Sequence, residues 1–353
     1  MSDHLRDKGH EDPADPAIGA PQSRARRIAL LLFKVGVSGG LVIIVATKVD
    51  LASVSTRIAV LNLAWASSAV LLFLAQLVLS GYRWWEIAQR MGVPIRRMSA
   101  VRLVLIGHAF SQALPTAIGG DAVRAWLAAR ESGLLGRAIS SVLCDREIAL
   151  GVLLVIASIG QAILIVDGPR SGPLSSVRIF IWGATAALVF GIAVGPMLTA
   201  PLQRFRAGAL LRRVLTDIRQ VLGKPWKLAG KITGLSIAVQ ASIIVGTWFI
   251  ARSLELPLTL GMCLIMLPPI LVTAVLPISF GGWGVREGAM IVGLGMVGVS
   301  SDGALALSVL FGVFNLILAI PGVILWMIVR RKGDPLPRRR DRAVFQPAGE
   351  DRA

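Results

Sequence analysis

The sequence predicts an all-α polytopic membrane protein with about eight transmembrane helices and one or two re-entrant or broken helices. Three observations predict it. Of 353 residues, 55% are hydrophobic and 16% are charged, whereas soluble domains carry about a quarter charged residues; mean hydropathy is +0.72. The apolar residues fall in blocks that reach the roughly 20 residues a span requires, and no strand-like alternation in about 10-residue segments marks a membrane barrel. The basic residues collect in the loops and tails between those blocks, as expected for loops held at the cytoplasmic face.

Residues 1–27 are polar with several prolines and end in SRARR, which reads as a cytoplasmic tail with a basic anchor. It is too long and acidic for the start of a signal peptide, and no clear cleavage site follows. Apolar blocks then run at about 28–47, 60–80, 138–166, 178–200, 232–251, 258–277, 280–299 and 303–329. The stretch 103–118 is apolar but short and interrupted by Pro and Gly, so it reads as a re-entrant hairpin. With that assignment, the basic loops after the second span, after the hairpin, between 200 and 232, and after the last span all fall on one side. Both termini are then expected in the cytoplasm. Residues 258–299 read either as two full spans or as a hairpin. The segment 201–231 mixes Arg and Lys with Phe205 and Trp226, which fits an interfacial amphipathic helix or a plain cytoplasmic connector. Residues 330–353 form a second basic tail.

The net charge of +17 follows from this loop asymmetry, so nucleic acid is not an expected partner. No phosphate-cradling GxxxxGK[ST], dinucleotide fingerprint or zinc-ligand spacing occurs, and no cofactor or metal is indicated. The two cysteines, Cys144 and Cys263, lie inside apolar segments without a C-x-x-C spacing and read as buried thiols. His108 reads as a packing residue, or as a proton carrier because of its place in an apolar run. Gly36/Gly40 and Gly284/Gly288 have the small-xxx-small spacing of close helix packing.

A paired motif stands out. Leu114 to Arg124 reads LPTAIGGDAVR, and Leu276 to Arg286 reads LPISFGGWGVR, with the Leu, Pro, both Gly, the Val and the Arg in the same places. A helix breaks at membrane depth only where protein or a water-filled cavity satisfies the freed backbone groups. Two breaks at matching positions in the two halves of a chain point to a binding site built from an internal repeat. A glycine pair lets the chain turn into a new half-helix whose N-terminus favours an anion such as a phosphate. Arg124 and Arg286 then project from the first turn as bidentate phosphate partners. The plainer alternatives are that Asp121 caps a helix after a loop, that Arg124 is a positive-inside residue, and that residues 281–284 are a tight turn. Asp145, Arg146 and Glu147 near the start of an apolar block are natural counter-charges for Arg124 or Arg286, and Glu287 is a further candidate acid.

The run LPTAIGGDAVRAWLAAR, the DRE at Asp145 to Glu147, and PISFGGWGVREGA ahead of a long final span resemble the lysylphosphatidylglycerol synthase transmembrane, or flippase-like, family of bacterial inner-membrane proteins. The resemblance covers about Ile28 to Val329, the membrane part. It implies a polytopic helical domain that moves a polar-headgroup lipid between leaflets. It also implies anionic or phosphate-bearing membrane lipids as partners and a place in the bacterial inner membrane. The family's characteristic residues fall on Pro115, Gly119, Gly120, Asp121, Arg124, Asp145, Arg146, Pro277, Gly281, Gly282, Gly284, Arg286 and Glu287, and all of these but Pro277 and Gly284 are the candidate substrate-binding residues. The cytoplasmic acyltransferase domain of two-part family members has no counterpart within this sequence, so synthase activity is not implied and no catalytic residue is assigned. Other expectations are a membrane-embedded transferase using Asp121, Asp145 or Glu287 as general base, or an accessory subunit for lipid-modifying enzymes.

Overall fold

The structure is a computed structural model that describes Thr56, Ala59 and residues 61–113, 119–167, 174–202, 215–223, 225–275 and 284–331. The two tails, the apolar block 28–47 with Gly36/Gly40, and the motif residues 114–118 and 276–283 lie outside the described residues. The described part is helical: α1 (Leu63–Arg90), α2 (Arg97–Ala113), α3 (Gly119–Ser132), α4 (Leu135–Asp167), α5 (Leu174–Leu202), α6 (Trp226–Ser253), α7 (Leu260–Val275), α8 (Val285–Gly295) and α9 (Ser301–Arg331). A further short helical stretch covers 215–222.

Among the described residues, Leu63–Arg90, Trp226–Ser253 and Ser301–Arg330 are long and apolar enough to cross a membrane, and Arg178–Gly191 and Leu260–Thr273 are shorter apolar helices. At about 1.5 Å per residue, the 11 residues of α8 fall short of a hydrocarbon core roughly 30 Å thick. Large apolar side chains such as Leu71 on α1, Phe180 on α5 and Ile320 on α9 are exposed, while arginines and acids are buried inside. That inversion is what a lipid solvent favours.

The α1 start is set by Asn62, whose Oδ1 accepts from the Ala64 N–H at 3.1 Å, an N-cap. Helix α1 packs along α6, and α2 packs on α1, α3 and α9. A central cluster joins Phe73, Leu77, Leu105, Met266, Met290, Leu307 and Phe314. Helices α2 and α3 form an antiparallel hairpin. Near its tip Gly107 of α2 meets Gly120 of α3; at its open end the Ser99 hydroxyl donates to Glu131. The chain therefore returns to the side from which it entered, the geometry expected for the re-entrant piece at 103–118.

Two readings are narrowed by the packing. The apolar face of the amphipathic connector, at Leu215, Ile218 and Val221, is buried. Ile218 and Val221 pack with Ile87, Cys144, Ile148 and Ile232, so over these residues the face seats on the protein's own helices rather than on lipid. Among the described residues the Gly284/Gly288 pair forms no packing seam: a Cβ on Gly288 would meet none of their atoms within 4 Å, and Gly284 instead precedes α8 with φ +85°. Cys144 and Cys263 are buried free thiols, as expected. The His108 Nε2 donates to the Asn315 carbonyl at 3.1 Å, which fits its reading as a packing residue that ties α2 to α9.

Candidate functional site

The N-terminal candidate residues converge where α1, α3 and α4 meet. Arg83, seven residues before the end of α1, donates from Nε to Asp145 Oδ1 at 2.8 Å. The other carboxylate oxygen, Oδ2, pairs with Arg124 Nη1 at 3.1 Å. Arg124 Nη2 lies 3.4 Å from Asp121 Oδ1, and Asp121 Oδ2 takes the Nε of Arg146. The result is an unbroken chain, Arg83, Asp145, Arg124, Asp121, Arg146. It ties together three helices.

Burial makes this arrangement costly. Arg83 is 4% exposed, Arg124 6% and Asp145 3%, and each charge withdrawn from water needs a partner. Asp145 neutralises two guanidinium groups at once. The Arg124 guanidinium also stacks 4.7 Å from the Trp84 ring centroid, which offsets part of its desolvation. Trp84 is in turn held by its Nε1–H, which donates to Ser141 Oγ at 3.3 Å. Asp145 and Asp121 balance the two buried guanidinium groups, and the third, Arg146 at the outer end of the chain, is exposed. Among the described residues, Arg83 Nη1 and Arg124 Nε are buried without a hydrogen-bond partner. Asp145 is ten residues into α4, about 15 Å along the axis, so this carboxylate lies well away from the ends of its helix.

Local backbone places these groups. Helix α3 begins at Gly119, directly after the break, and Asp121 stands in its first turn rather than as its cap. Gly120 is buried against α2: a Cβ there would lie 2.0 Å from Ser111 Oγ and 2.1 Å from the Gly107 carbonyl oxygen. The glycine pair therefore permits close helix contact, which aims Asp121 and Arg124 at α4. Pro115 lies outside the described residues.

The C-terminal half builds a smaller cluster at the start of α8. Arg286 Nη2 meets Glu287 Oε1 at 2.6 Å, and its Nε lies 3.1 Å from Ser308 Oγ on α9. The Ser308 hydroxyl donates to Glu287 Oε1 at 3.2 Å. Glu287 Oε2 accepts the Gly284 N–H at 2.5 Å, so the acid satisfies a free amide at the helix start. Arg286 also lies 5.5 Å from the Phe311 ring centroid. Arg286 and Glu287 are buried; Gly281 and Gly282 lie outside the described residues. The two clusters have no residue in common among these contacts. Asp145 thus faces Arg124, and Glu287 faces Arg286.

Arg83 is the residue that sequence reasoning missed. Its place near the basic end of a span made it resemble the positive-inside arginines around it. A usable signal was that it lies two turns before Arg90, inside the hydrophobic length of α1.

The family defined by the lysylphosphatidylglycerol synthase TM region matches residues 31–322. The chain belongs to that family. It is therefore a lipid-related membrane protein, in keeping with its all-helical fold. No curated protein and no solved structure matches it.

Proposed function

We propose that this protein translocates a polar-headgroup phospholipid between leaflets of the bacterial inner membrane. The phosphate is held at the Arg83–Asp145–Arg124 node while the acyl chains stay in lipid. One observation carries this reading: two arginines buried among the helices, with two guanidinium N–H groups without a partner among the described residues. An ionisable group at membrane depth is expensive and by default functional, and a phosphate oxygen is the acceptor that a guanidinium fork fits best. The break between α2 and α3 supports entry of a headgroup, because interrupted helices are tolerated where they line a cavity. Gly119, Gly120, Asp121 and Arg146 belong to the same site by position; Arg286 and Glu287 form its counterpart in the second half.

On this reading the protein is not an enzyme. Both oxygens of Asp145 and of Asp121 already face guanidinium groups, and Glu287 is taken by Arg286 and the Gly284 amide. A general base needs a free lone pair near its acceptor. The test is headgroup accessibility in sealed proteoliposomes: dithionite quenching of a headgroup-labelled phosphatidylglycerol should exceed the outer-leaflet fraction with the wild-type chain, and fall to the protein-free level with folded Arg124→Gln. Wild-type movement in that variant overturns the assignment.

A further inference from the structure

We propose that the polar cleft at the basic end of the α1–α4 seam is a second phosphoryl-binding site, separate from the buried chain of ion pairs. The cleft, about 420 Å³, is lined by Arg90 and Met91 at the end of α1, Gly92, Arg137 and Ser140 on the first turns of α4, and Asp217 and Gln220 of the 215–222 stretch. Two guanidinium groups face one carboxylate there, so the cleft favours an anion. It also offers hydroxyl and amide groups to that anion's other oxygens.

The cleft is held in shape. Arg90 Nε donates to the Gln220 carbonyl at 2.8 Å, which fixes the arginine stem and ties the connector to α1. Gly92 has φ +70°, and a Cβ there would fall 2.7 Å from Arg137 Nη1. A side chain at 92 would therefore displace the Arg137 guanidinium, and the glycine leaves it room at the cleft. The floor is Ser140, itself buried. The apolar cluster of Ile87, Cys144, Ile218 and Val221 joins the three walls, and exposed Lys231 pairs with Glu86 of α1.

Position gives the cleft its ligand class. Arg90 follows Arg83 by seven residues on α1, and Arg137 precedes Asp145 by eight on α4, so each lies two turns along the same stripe of its helix. The site sits at the end where Arg96, Arg97, Arg130 and Arg219 also collect, the headgroup level of a bilayer. The recognised chemistry is a phosphate group, from a lipid headgroup or from free phosphate. Asp217 adds an acceptor for a donor-bearing headgroup. Binding here does not depend on translocation, so it is measured directly.

Isothermal titration of the full chain in detergent, with dihexanoyl phosphatidylglycerol and separately with inorganic phosphate, decides it. Saturable lipid binding is expected with a component, beside that of the buried node, that weakens about tenfold or more in Arg137→Gln and in Arg90→Gln, the scale of one lost charge-assisted hydrogen bond. The Arg124→Gln variant should keep this binding, which separates the cleft from the buried node. Equal binding of inorganic phosphate with the same losses supports phosphoryl recognition with free phosphate as the ligand; lipid binding alone supports the headgroup. Arg137 is exposed, so its variant keeps the core intact. No saturable binding of either probe, or wild-type affinity in both folded cleft variants, overturns the proposal.

Discussion

Gly120 of α3 lies so close to Gly107 of α2 that an added Cβ would sit 2.1 Å from the Gly107 carbonyl oxygen. Real atoms do not share that distance, and the obstacle is backbone, which cannot rotate away. Gly120→Ala must therefore spread the α2–α3 hairpin and shift Asp121 and Arg124 away from α4. Overpacking of this kind costs about 1–3 kcal/mol or more. A lowered melting temperature in detergent is expected, with lipid movement lost even below the melting point; an unchanged melt would mean that the helices do not approach this closely.

Asp145 stands between Arg83 and Arg124, one oxygen to each. Asp145→Asn leaves buried Arg83 without a counter-charge and Arg124 with Asp121 alone, and breaking a buried pair by removing one partner costs about 3–5 kcal/mol. A large loss of stability follows. The double variant Asp145→Asn with Arg83→Met removes the stranded charge and should recover part of the loss. Thermal denaturation of the singles and the double, read as a double-mutant cycle, measures the coupling; additive effects would show that the two side chains do not interact.

Gly284 and Gly288 share a helix start but not a constraint. Gly284 holds φ +85°, where any other residue pays about 1–2 kcal/mol. Gly288 lies in α8 with open space at its Cβ. Gly284→Ala should therefore lower stability by about that amount, whereas Gly288→Ala should be neutral or raise it by up to about 1 kcal/mol through helix propensity. Parallel melting curves separate them. Equal losses at both positions would restore the packing role that their spacing suggests.

Much of this was legible because membrane insertion writes itself into composition: the apolar blocks at 60–80, 232–251 and 303–329 correspond to α1, α6 and α9. The break before Gly119 was visible in its Pro and Gly, and the counter-charge for Arg124 in the acid of the DRE run. Which acid serves which arginine was not visible, because Asp145 reaches Arg124 only through the packing of α3 on α4. Arg83 was hidden for a related reason: an arginine near a span end looks the same in sequence whether it faces water or a buried carboxylate. The connector face at Leu215, Ile218 and Val221 is buried, which the sequence leaves open because periodicity reports that a face is apolar, and not what covers it.

Arg83 makes the sharpest functional test because charge and geometry can be separated there. Its Nε holds Asp145 while its Nη1 is left over, so one planar group performs two tasks in two directions. A lysine keeps the positive charge but presents a single ammonium, which can satisfy Asp145 or reach a second acceptor, not both in the same fixed fork. Arg83→Lys is therefore expected to keep most of the stability, because the Asp145 pair survives, and to lose headgroup movement nearly as fully as Arg83→Gln. Dithionite quenching rates for the two variants, beside their melting temperatures, give the comparison. Full movement in Arg83→Lys would mean that positive charge alone suffices at this node, and the guanidinium geometry would have no part in holding the phosphate.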